Sequence, residues 1–173
     1  DVKALSCIAS ESNYHFKILD AVMEVNDSQR TYVMPKIKNY FNDNLKGKHF
    51  AIWGLAFKPN TDDIREASAL YMIDQLLSAG ATVSAFDPEA MENVKALKGD
   101  QIIYAKNQYE ALKDADALII ATEWNEFRSP DFDLMDSTLK QKVIFDGRNL
   151  FDLKQMKQLG YYYFSIGRAL VKP

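Results

Sequence analysis

The sequence contains very few of the side chains that build disulfides and metal centres: one cysteine and two histidines among 173 residues. A single cysteine cannot form an internal disulfide, which is typical of a reducing compartment. His15 and His49 have no metal-site spacing and no companion cysteines, so we predict no metal site. Cys7 lies in an apolar helical pattern with no base nearby, which favours a buried structural cysteine over a nucleophile.

Long apolar runs and an excess of basic charge are also missing. No run of about 18 apolar residues occurs, so we predict no membrane span. The formal net charge is -3, which offers no basic face for nucleic acid. The first residues, DVKALSCIAS, lack the basic and apolar regions of a signal peptide, so we expect a cytoplasmic protein. Because the chain has no initiator methionine and begins inside a helical pattern, we also expect it to be part of a longer protein.

Two kinds of hydrophobic pattern divide the chain. Over residues 14–41 the apolar residues recur at helical spacing after a cap at residues 12–13, and Pro35 should kink or split this helix. After this region, short apolar runs typical of strands alternate with helical patterns; the runs are HFAIWGLAF, ATVSAFD, QIIYA, ADALIIAT, KVIFDG and YYYFSIG. The alternation predicts an α/β fold: a long helical arm, residues 1–46, followed by a doubly wound, mostly parallel sheet domain, residues 47–173.

Polar loops follow four of the predicted strands. In doubly wound sheets, ligands bind beyond the carboxyl ends of the strands. The loops are residues 57–65, 87–88, 122–128 and 146–149. We therefore expect the functional residues to lie in these four loops.

The loop after the first strand, GLAFKPNTDDIRE, has the position of a phosphate-binding turn but only one glycine, Gly54. One interpretation is a capped helix, in which the Thr-Asp-Asp run at 61–63 satisfies the first backbone N–H groups and Arg65 pairs with a neighbouring carboxylate. This interpretation leaves Lys58 unexplained. A lysine between an aromatic residue and a proline at a strand end could reach a phosphate or a sugar hydroxyl.

Three further residues lie at strand ends. Arg148 offers a bidentate fork for phosphate or carboxylate, but it could equally pair with Asp146 or Asp152. Trp124 is more typical of packing than of a ligand wall. Asp87 has the position of the acidic residue that holds a ribose, although the match is weak without the glycine fingerprint.

Four stretches resemble, in order and spacing, the C-terminal half of the UDP-glucose 6-dehydrogenases. They are GLAFKPNTDDIRE, VSAFDP, ADALIIATEWNEF and VIFDGRNLFD, of which the first is the most specific. The helical arm also looks like the middle segment of that family, so the resemblance covers essentially the whole chain. It implies a Rossmann-like domain that binds the UDP part of UDP-glucose, and a homodimer formed through the helical arm. NAD would be held mainly by a glycine-rich N-terminal domain.

The resemblance also implies roles for individual residues. Phe57, Lys58 and Arg148 would bind the UDP-sugar. Arg65 would reach NAD across the cleft, and Asp1 would be a catalytic residue that helps to position the hydrolytic water. Enzymes of this family oxidise UDP-glucose twice, to UDP-glucuronate, with two NAD and a catalytic cysteine. The motif around that cysteine has no match among the 173 residues, so we expect this chain alone to be inactive.

Other interpretations remain. A related enzyme could act on GDP-mannose or a UDP-N-acetylhexosamine, since sugar specificity in the family depends heavily on residues outside this chain. A non-catalytic nucleotide-binding or dimerisation module would keep the arm and the domain without the oxidising half. A receiver or flavodoxin domain is disfavoured, because the sequence has no convincing strand-end acidic cluster or FMN loop.

Overall fold

The computed structural model describes residues 2–173, so Asp1, the predicted catalytic residue, lies outside the described residues. The chain forms two compact units that divide between Tyr32 and Val33. Among residues 2–173, every helix is too short or too polar to cross a membrane.

The first unit contains two helices, α1 (Val2–Glu11) and α2 (Lys17–Thr31). The predicted helix start at residues 12–13 is wrong. Asn13 has a positive φ of 54°, the left-handed conformation that ends helices, and its N–H bonds back to the carbonyl oxygen of Ser10. These residues therefore terminate α1, and α2 begins several residues later.

The large apolar side chains of the first unit are mostly exposed. They are Val2, Leu5, Ile8, Tyr14, Ile18, Val22, Val25 and Tyr32. Ile18, Val22 and Val25 recur at i, i+4 and i+7, which places them on one face of α2. The prediction of a buried Cys7 is also wrong, because this cysteine is exposed. Helical periodicity reveals an apolar stripe, but it does not reveal whether the same chain covers it.

The second unit is built on a six-stranded sheet in which every neighbouring pair of strands is parallel. The strands are β1 (His49–Trp53), β2 (Thr82–Phe86), β3 (Ile103–Tyr104), β4 (Ala117–Ile120), β5 (Val143–Asp146) and β6 (Tyr162–Ser165). Their order, β3-β2-β1-β4-β5-β6, confirms the predicted doubly wound α/β fold. β4 and β5 are buried along their whole length, which explains their unbroken apolar runs.

Six helices belong to the same unit. They are α3 (Val33–Tyr40), α4 (Ser68–Ser78), α5 (Met91–Lys98), α6 (Gln108–Ala111), α7 (Phe132–Thr138) and α8 (Leu153–Gln158). The hydrophobic pattern predicts that α3 belongs to the arm, yet its Val33 and Ile37 are buried in the core of the sheet unit. The ring of Phe41, just after α3, packs on that of Phe50 with centroids 5.4 Å apart. The sheet unit therefore begins at residue 33 rather than 47.

Pro35 accounts for the break between α2 and α3. It lies in the first turn of α3, where a backbone N–H has no acceptor within the helix, so a proline is tolerated. In the interior of one continuous helix the same proline would remove a hydrogen bond and clash with the preceding turn. The predicted split of the helical pattern is thus what the structure shows.

The strand order reverses between β1 and β4, and the loops after these strands touch. Trp53 and Ile120 are register partners, and Ile120 is in turn level with Asp146 of β5, so the three strands end at one edge. Gly54 has a φ of +90°, and a Cβ at this position would lie 2.4 Å from Cβ of Thr122. A glycine is needed here because no side chain fits this approach.

Candidate functional site

Three loops meet at the carboxyl ends of β1, β4 and β5. Thr122 Oγ1 donates a hydrogen bond to the carbonyl oxygen of Ala56 at 2.5 Å. The N–H of Gly147 donates to the carbonyl oxygen of Ile120 at 3.0 Å. Ligands of doubly wound sheets bind at the switch point, which is the place where the strand order reverses, here between β1 and β4. The candidate site consists of Phe57, Lys58, Glu123 and Arg148.

Arg148 connects the three loops through its side chain. Nε donates a hydrogen bond to the carbonyl oxygen of Ala121 at 2.7 Å, and Nη2 donates to that of Phe57 at 3.4 Å. Nε also lies 3.2 Å from Oε2 of Glu123, which makes an ion pair. The predicted alternative, pairing with Asp146 or Asp152, does not describe the side chain. Asp146 instead accepts the backbone N–H of Arg148, at 2.7 Å.

The guanidinium of Arg148 keeps hydrogen-bonding capacity for a ligand. Within residues 2–173, both N–H groups of Nη1 and one of Nη2 have no acceptor. The side chain is one-third exposed, at 33%. A guanidinium that is fixed at Nε and open at its outer nitrogens can bind a phosphate with two parallel hydrogen bonds.

Glu123 is the partner that sequence reasoning missed. Its Oε2 is buried and accepts no hydrogen bond from the described residues, because the N–H of Arg148 Nε points to Ala121. The contact between Glu123 and Arg148 is therefore mainly electrostatic. One signal was available in the sequence: both residues lie in loops that follow strands, and those strands are neighbours in the sheet.

Phe57 and Lys58 project from the loop after β1. A hydrogen bond from the N–H of Phe57 to the carbonyl oxygen of Asp63, 2.9 Å long, closes this loop. Phe57 is 40% exposed, and Nζ of Lys58 lies 5.2 Å from the centroid of its ring. In the described part of the chain, no carboxylate lies within ion-pair distance of Lys58. Lys58 is thus a second cation at this edge, one residue from the carbonyl group that Arg148 contacts.

Asp63 and Arg65 form a surface pair instead of a helix cap. The predicted cap at 61–63 is wrong, because α4 begins at Ser68 and no side chain caps it. The Arg65 fork bonds to both carboxylate oxygens of Asp63, with Nε–Oδ1 at 3.0 Å and Nη2–Oδ2 at 2.7 Å. The predicted pairing of Arg65 with a carboxylate is therefore confirmed. The guanidinium remains 86% exposed.

The hydrogen bonds from the Arg65 side chain, and then from its backbone N–H, lower the pKa of Asp63 to about 2. Since the folded-state pKa is depressed, the pair stabilises the fold above pH about 3.8, the ordinary value, and this contribution is lost as the pH falls toward 2.

We expect Arg65→Ala to raise the pKa of Asp63 toward its ordinary value. An NMR titration of the Asp63 carboxyl carbon measures this. An ordinary pKa in the unsubstituted protein would show that the pair does not form in solution.

Asp87 is an internal anchor rather than a ligand-binding acid. Its buried carboxylate accepts five hydrogen bonds, from the N–H groups of Leu55, Ala56, Glu89 and Ala90 and from Nε1 of Trp124. These bonds hold the loop after β1, the start of α5 and the loop after β4 together. A ribose hydroxyl would have to displace one of them. Trp124 is buried, as expected of a packing residue.

The sequence profile of the UDP-glucose/GDP-mannose dehydrogenase family, UDP binding domain, matches residues 51–153. This range begins within β1 and contains β2 to β5 and all four residues of the candidate site. The chain belongs to the UDP-glucose/GDP-mannose dehydrogenase family. The resemblance seen in the sequence is thereby confirmed.

Relatives in this family match nearly the whole chain. The UDP-glucose 6-dehydrogenase TuaD of Bacillus subtilis is 42% identical over 99% of this chain, which spans 37% of that protein. The structure of a UDP-glucose dehydrogenase from Pyrobaculum islandicum superposes with a TM-score of 0.81 at 30% identity, covering 97% of this chain and 36% of that one. That of the UDP-N-acetyl-mannosamine dehydrogenase Cap5O from Staphylococcus aureus gives a TM-score of 0.66 at 26% identity, covering 88% and 34%.

Within residues 2–173, the family site residues predicted from the sequence fall into two groups. Phe57 and Arg148 are in contact, and Lys58 lies beside them. Arg65 lies at the other end of the same loop, paired with Asp63. Asp1 is outside the described residues. Among residues 2–173, no cluster of three or more potential metal ligands occurs.

Proposed function

We propose that this chain is the C-terminal part of an NAD-dependent UDP-glucose 6-dehydrogenase and that it binds the UDP part of UDP-glucose at the candidate site. The observation that carries this proposal is the geometry of Arg148. Its guanidinium joins the three loops of the switch point and retains free N–H groups. The names of two relatives reported above support the same substrate.

The candidate site suits a nucleoside diphosphate. Arg148 would bind the diphosphate through its outer N–H groups, and the exposed ammonium of Lys58 would add a second charge-assisted contact. The exposed ring of Phe57 offers an apolar surface for the base or the sugar. These residues bind and orient the substrate; they do not perform the oxidation.

The residues of this Rossmann-like domain do not fit NAD as its own ligand. The loop after β1 has one glycine, Gly54, which is occupied with backbone packing against Thr122. Asp87, at the position that usually holds a ribose, has its oxygens engaged inside the protein. We therefore propose that NAD, the hydride acceptor, is held mainly by a different domain. The exposed Arg65 would add one contact to NAD.

The chain by itself is expected not to oxidise UDP-glucose. Its single cysteine, Cys7, lies on α1 in a context unlike the family's nucleophile motif. We propose Asp1 as the residue that positions the hydrolytic water in the complete enzyme. We also propose a cytoplasmic location, which the near absence of cysteine supports.

Binding of free nucleotides tests the proposed function. We expect the chain to bind UDP more tightly than GDP in isothermal titration calorimetry. Lys58→Ala should weaken UDP binding about tenfold, because one charge-assisted contact is lost. Lys113→Ala is a matched control: it removes the same charge from an exposed lysine that precedes the amino end of β4. Equal affinities of the Lys58 variant and the parent chain would reject the assigned role.

A second candidate substrate is another sugar nucleotide. The likeness to a UDP-N-acetyl-mannosamine dehydrogenase favours a UDP-N-acetylhexosamine as the alternative. Preference for GDP in the same titration would instead point to GDP-mannose. If the chain binds UDP-glucose no more tightly than UDP, a UDP-N-acetylhexosamine is the next ligand to titrate.

We further propose that the first unit forms a homodimer. Ile18 and Val25 of α2 are 71% and 55% exposed, as expected of side chains that another protomer covers. We expect a dimer by sedimentation, and at least a tenfold weaker dimer for the double variant Ile18→Glu, Val25→Glu. Leu97→Glu, at a 58% exposed position in the second unit, should leave the dimer intact. Monomeric parent chain at high concentration would contradict this proposal.

A further inference from the structure

Two side chains hold the loop around Arg148: Asp146, two positions before it, and Asn149, directly after it. The buried carboxylate of Asp146 accepts the N–H of Arg148 through Oδ1 and the N–H of Leu150 through Oδ2, both at 2.7 Å. The side-chain amide of Asn149 forms two hydrogen bonds with the backbone of Ile166, at 3.0 and 2.8 Å. The backbone of Arg148 is thus held from both sides.

A second layer of polar groups holds Asp146. The hydroxyl of Tyr163 donates to its Oδ2 at 2.6 Å, and Nη2 of Arg168 donates to that hydroxyl at 2.9 Å. Arg168 is itself fixed, by bonds to Ser165 Oγ at 3.0 Å and to the carbonyl oxygen of Phe151 at 3.1 Å. Burial, and then the neighbouring Asp146 carboxylate, raise the pKa of Tyr163 above its ordinary value, so the hydroxyl keeps its proton and remains a donor.

The backbone keeps this second layer in place. After β6 the chain turns at Gly167, whose φ is +67°. Val171 then returns to form two backbone hydrogen bonds with Tyr163, each 3.1 Å long. Arg168 lies within this turn, so its guanidinium is directed by the backbone as well as by its own hydrogen bonds.

We propose that Tyr163 and Arg168 are positioning residues for substrate binding, which through Asp146 hold the Arg148 loop in the geometry that leaves the outer guanidinium nitrogens open to the ligand. The proposal rests on the proposed function, in which Arg148 binds UDP. Tyr163 and Arg168 act through Asp146 rather than by contact with the ligand. The C-terminal turn of the chain is therefore a support of the binding site.

The structure offers a matched pair of variants for the test. Tyr163→Phe removes the hydroxyl that bonds to Asp146. Tyr161→Phe makes the same change at an equally buried tyrosine, whose hydroxyl bonds to Asp136 of α7, also at 2.6 Å. We expect both variants to lose similar thermal stability. Only Tyr163→Phe should weaken UDP binding, by about fivefold in calorimetry.

A double-mutant cycle tests whether the effect passes through Arg148. In the Arg148→Ala background, Tyr163→Phe should change the UDP affinity by less than about 1.5-fold. An undiminished effect in that background would overturn the proposal, as would an equal effect of Tyr161→Phe or none from Tyr163→Phe. If Tyr163→Phe does not fold, Asn149→Gly removes the other anchor while keeping the positive φ, and it should weaken UDP binding in the same direction.

Hydrogen exchange separates this proposal from the proposed function. The backbone N–H of Arg148, which bonds to Asp146, should exchange about tenfold faster in Tyr163→Phe than in Tyr161→Phe. This readout needs no ligand. Failure of the parent chain to bind UDP would reject only the proposed function. An unchanged exchange rate in Tyr163→Phe would reject the positioning role, regardless of whether the chain binds UDP.

Discussion

Replacing Arg148 with alanine is expected to weaken UDP binding by about 1.5–3 kcal/mol, or roughly 10- to 150-fold. The guanidinium supplies charge-assisted hydrogen bonds to the diphosphate, and it also joins the loops that carry Ala121 and Phe57. The loss of both functions makes this the largest effect on affinity that the site predicts. Isothermal titration calorimetry with UDP measures it directly.

Two further variants define what Arg148 contributes. Arg148→Lys keeps the charge but loses the planar fork, so we expect an affinity between those of the parent chain and the alanine variant. Lys113→Ala removes one positive charge near the amino ends of the strands, away from the candidate site, and should leave UDP affinity unchanged. A lower melting temperature for Arg148→Ala with unaltered UDP affinity would mean that Arg148 has a structural role only.

Asp87→Ala is expected to give the largest loss of stability, about 4 kcal/mol in the free energy of unfolding. The substitution leaves four backbone N–H groups and the indole N–H of Trp124 without their buried acceptor. Buried donors that lose a charged acceptor incur the full cost of desolvation. Urea unfolding followed by circular dichroism gives the change.

Asp152→Ala is the control for this loss. Asp152 is exposed and accepts two hydrogen bonds at the start of α8, from the N–H groups of Lys154 and Gln155. Its removal should cost about 1 kcal/mol, as for a typical helix cap. If Asp87→Ala costs no more than Asp152→Ala but abolishes nucleotide binding, Asp87 holds the ligand and its assignment as an anchor is wrong.

The sheet could be predicted from the sequence because its strands are short apolar runs separated by polar loops. Parallel strands place all their carboxyl ends at one edge, so Phe57, Lys58 and Arg148 could be assigned to a common region from the pattern alone. Their detailed partners could not. Glu123 and Arg148 follow different strands, and only the strand order makes those two strands neighbours.

Local patterns failed where other hydrogen bonds or packing contacts compete with them. The Thr-Asp-Asp run at 61–63 has the composition of a helix cap, yet Asp63 bonds to Arg65 and the helix starts later. Asp87 has the position of a ribose-binding acid, but it accepts donors from the loops after β1 and β4 as well as from its own loop. The apolar stripe of α3 is as regular as that of α2, and its burial depends on the sheet beside it.

The hairpin-like return at the C-terminus also affects how the sheet edge behaves in solution. The N–H of Tyr162 points toward β5 and donates to the carbonyl oxygen of Lys142. The N–H and C=O of Tyr163 point to the open side of β6, and both form hydrogen bonds with Val171. An uncovered edge strand at this point could pair with a strand of another molecule, which is a common start of aggregation. At the opposite edge, β3 is only two residues long. The same few residues that support Arg148 thus help to keep neighbouring molecules from adding strands to the sheet.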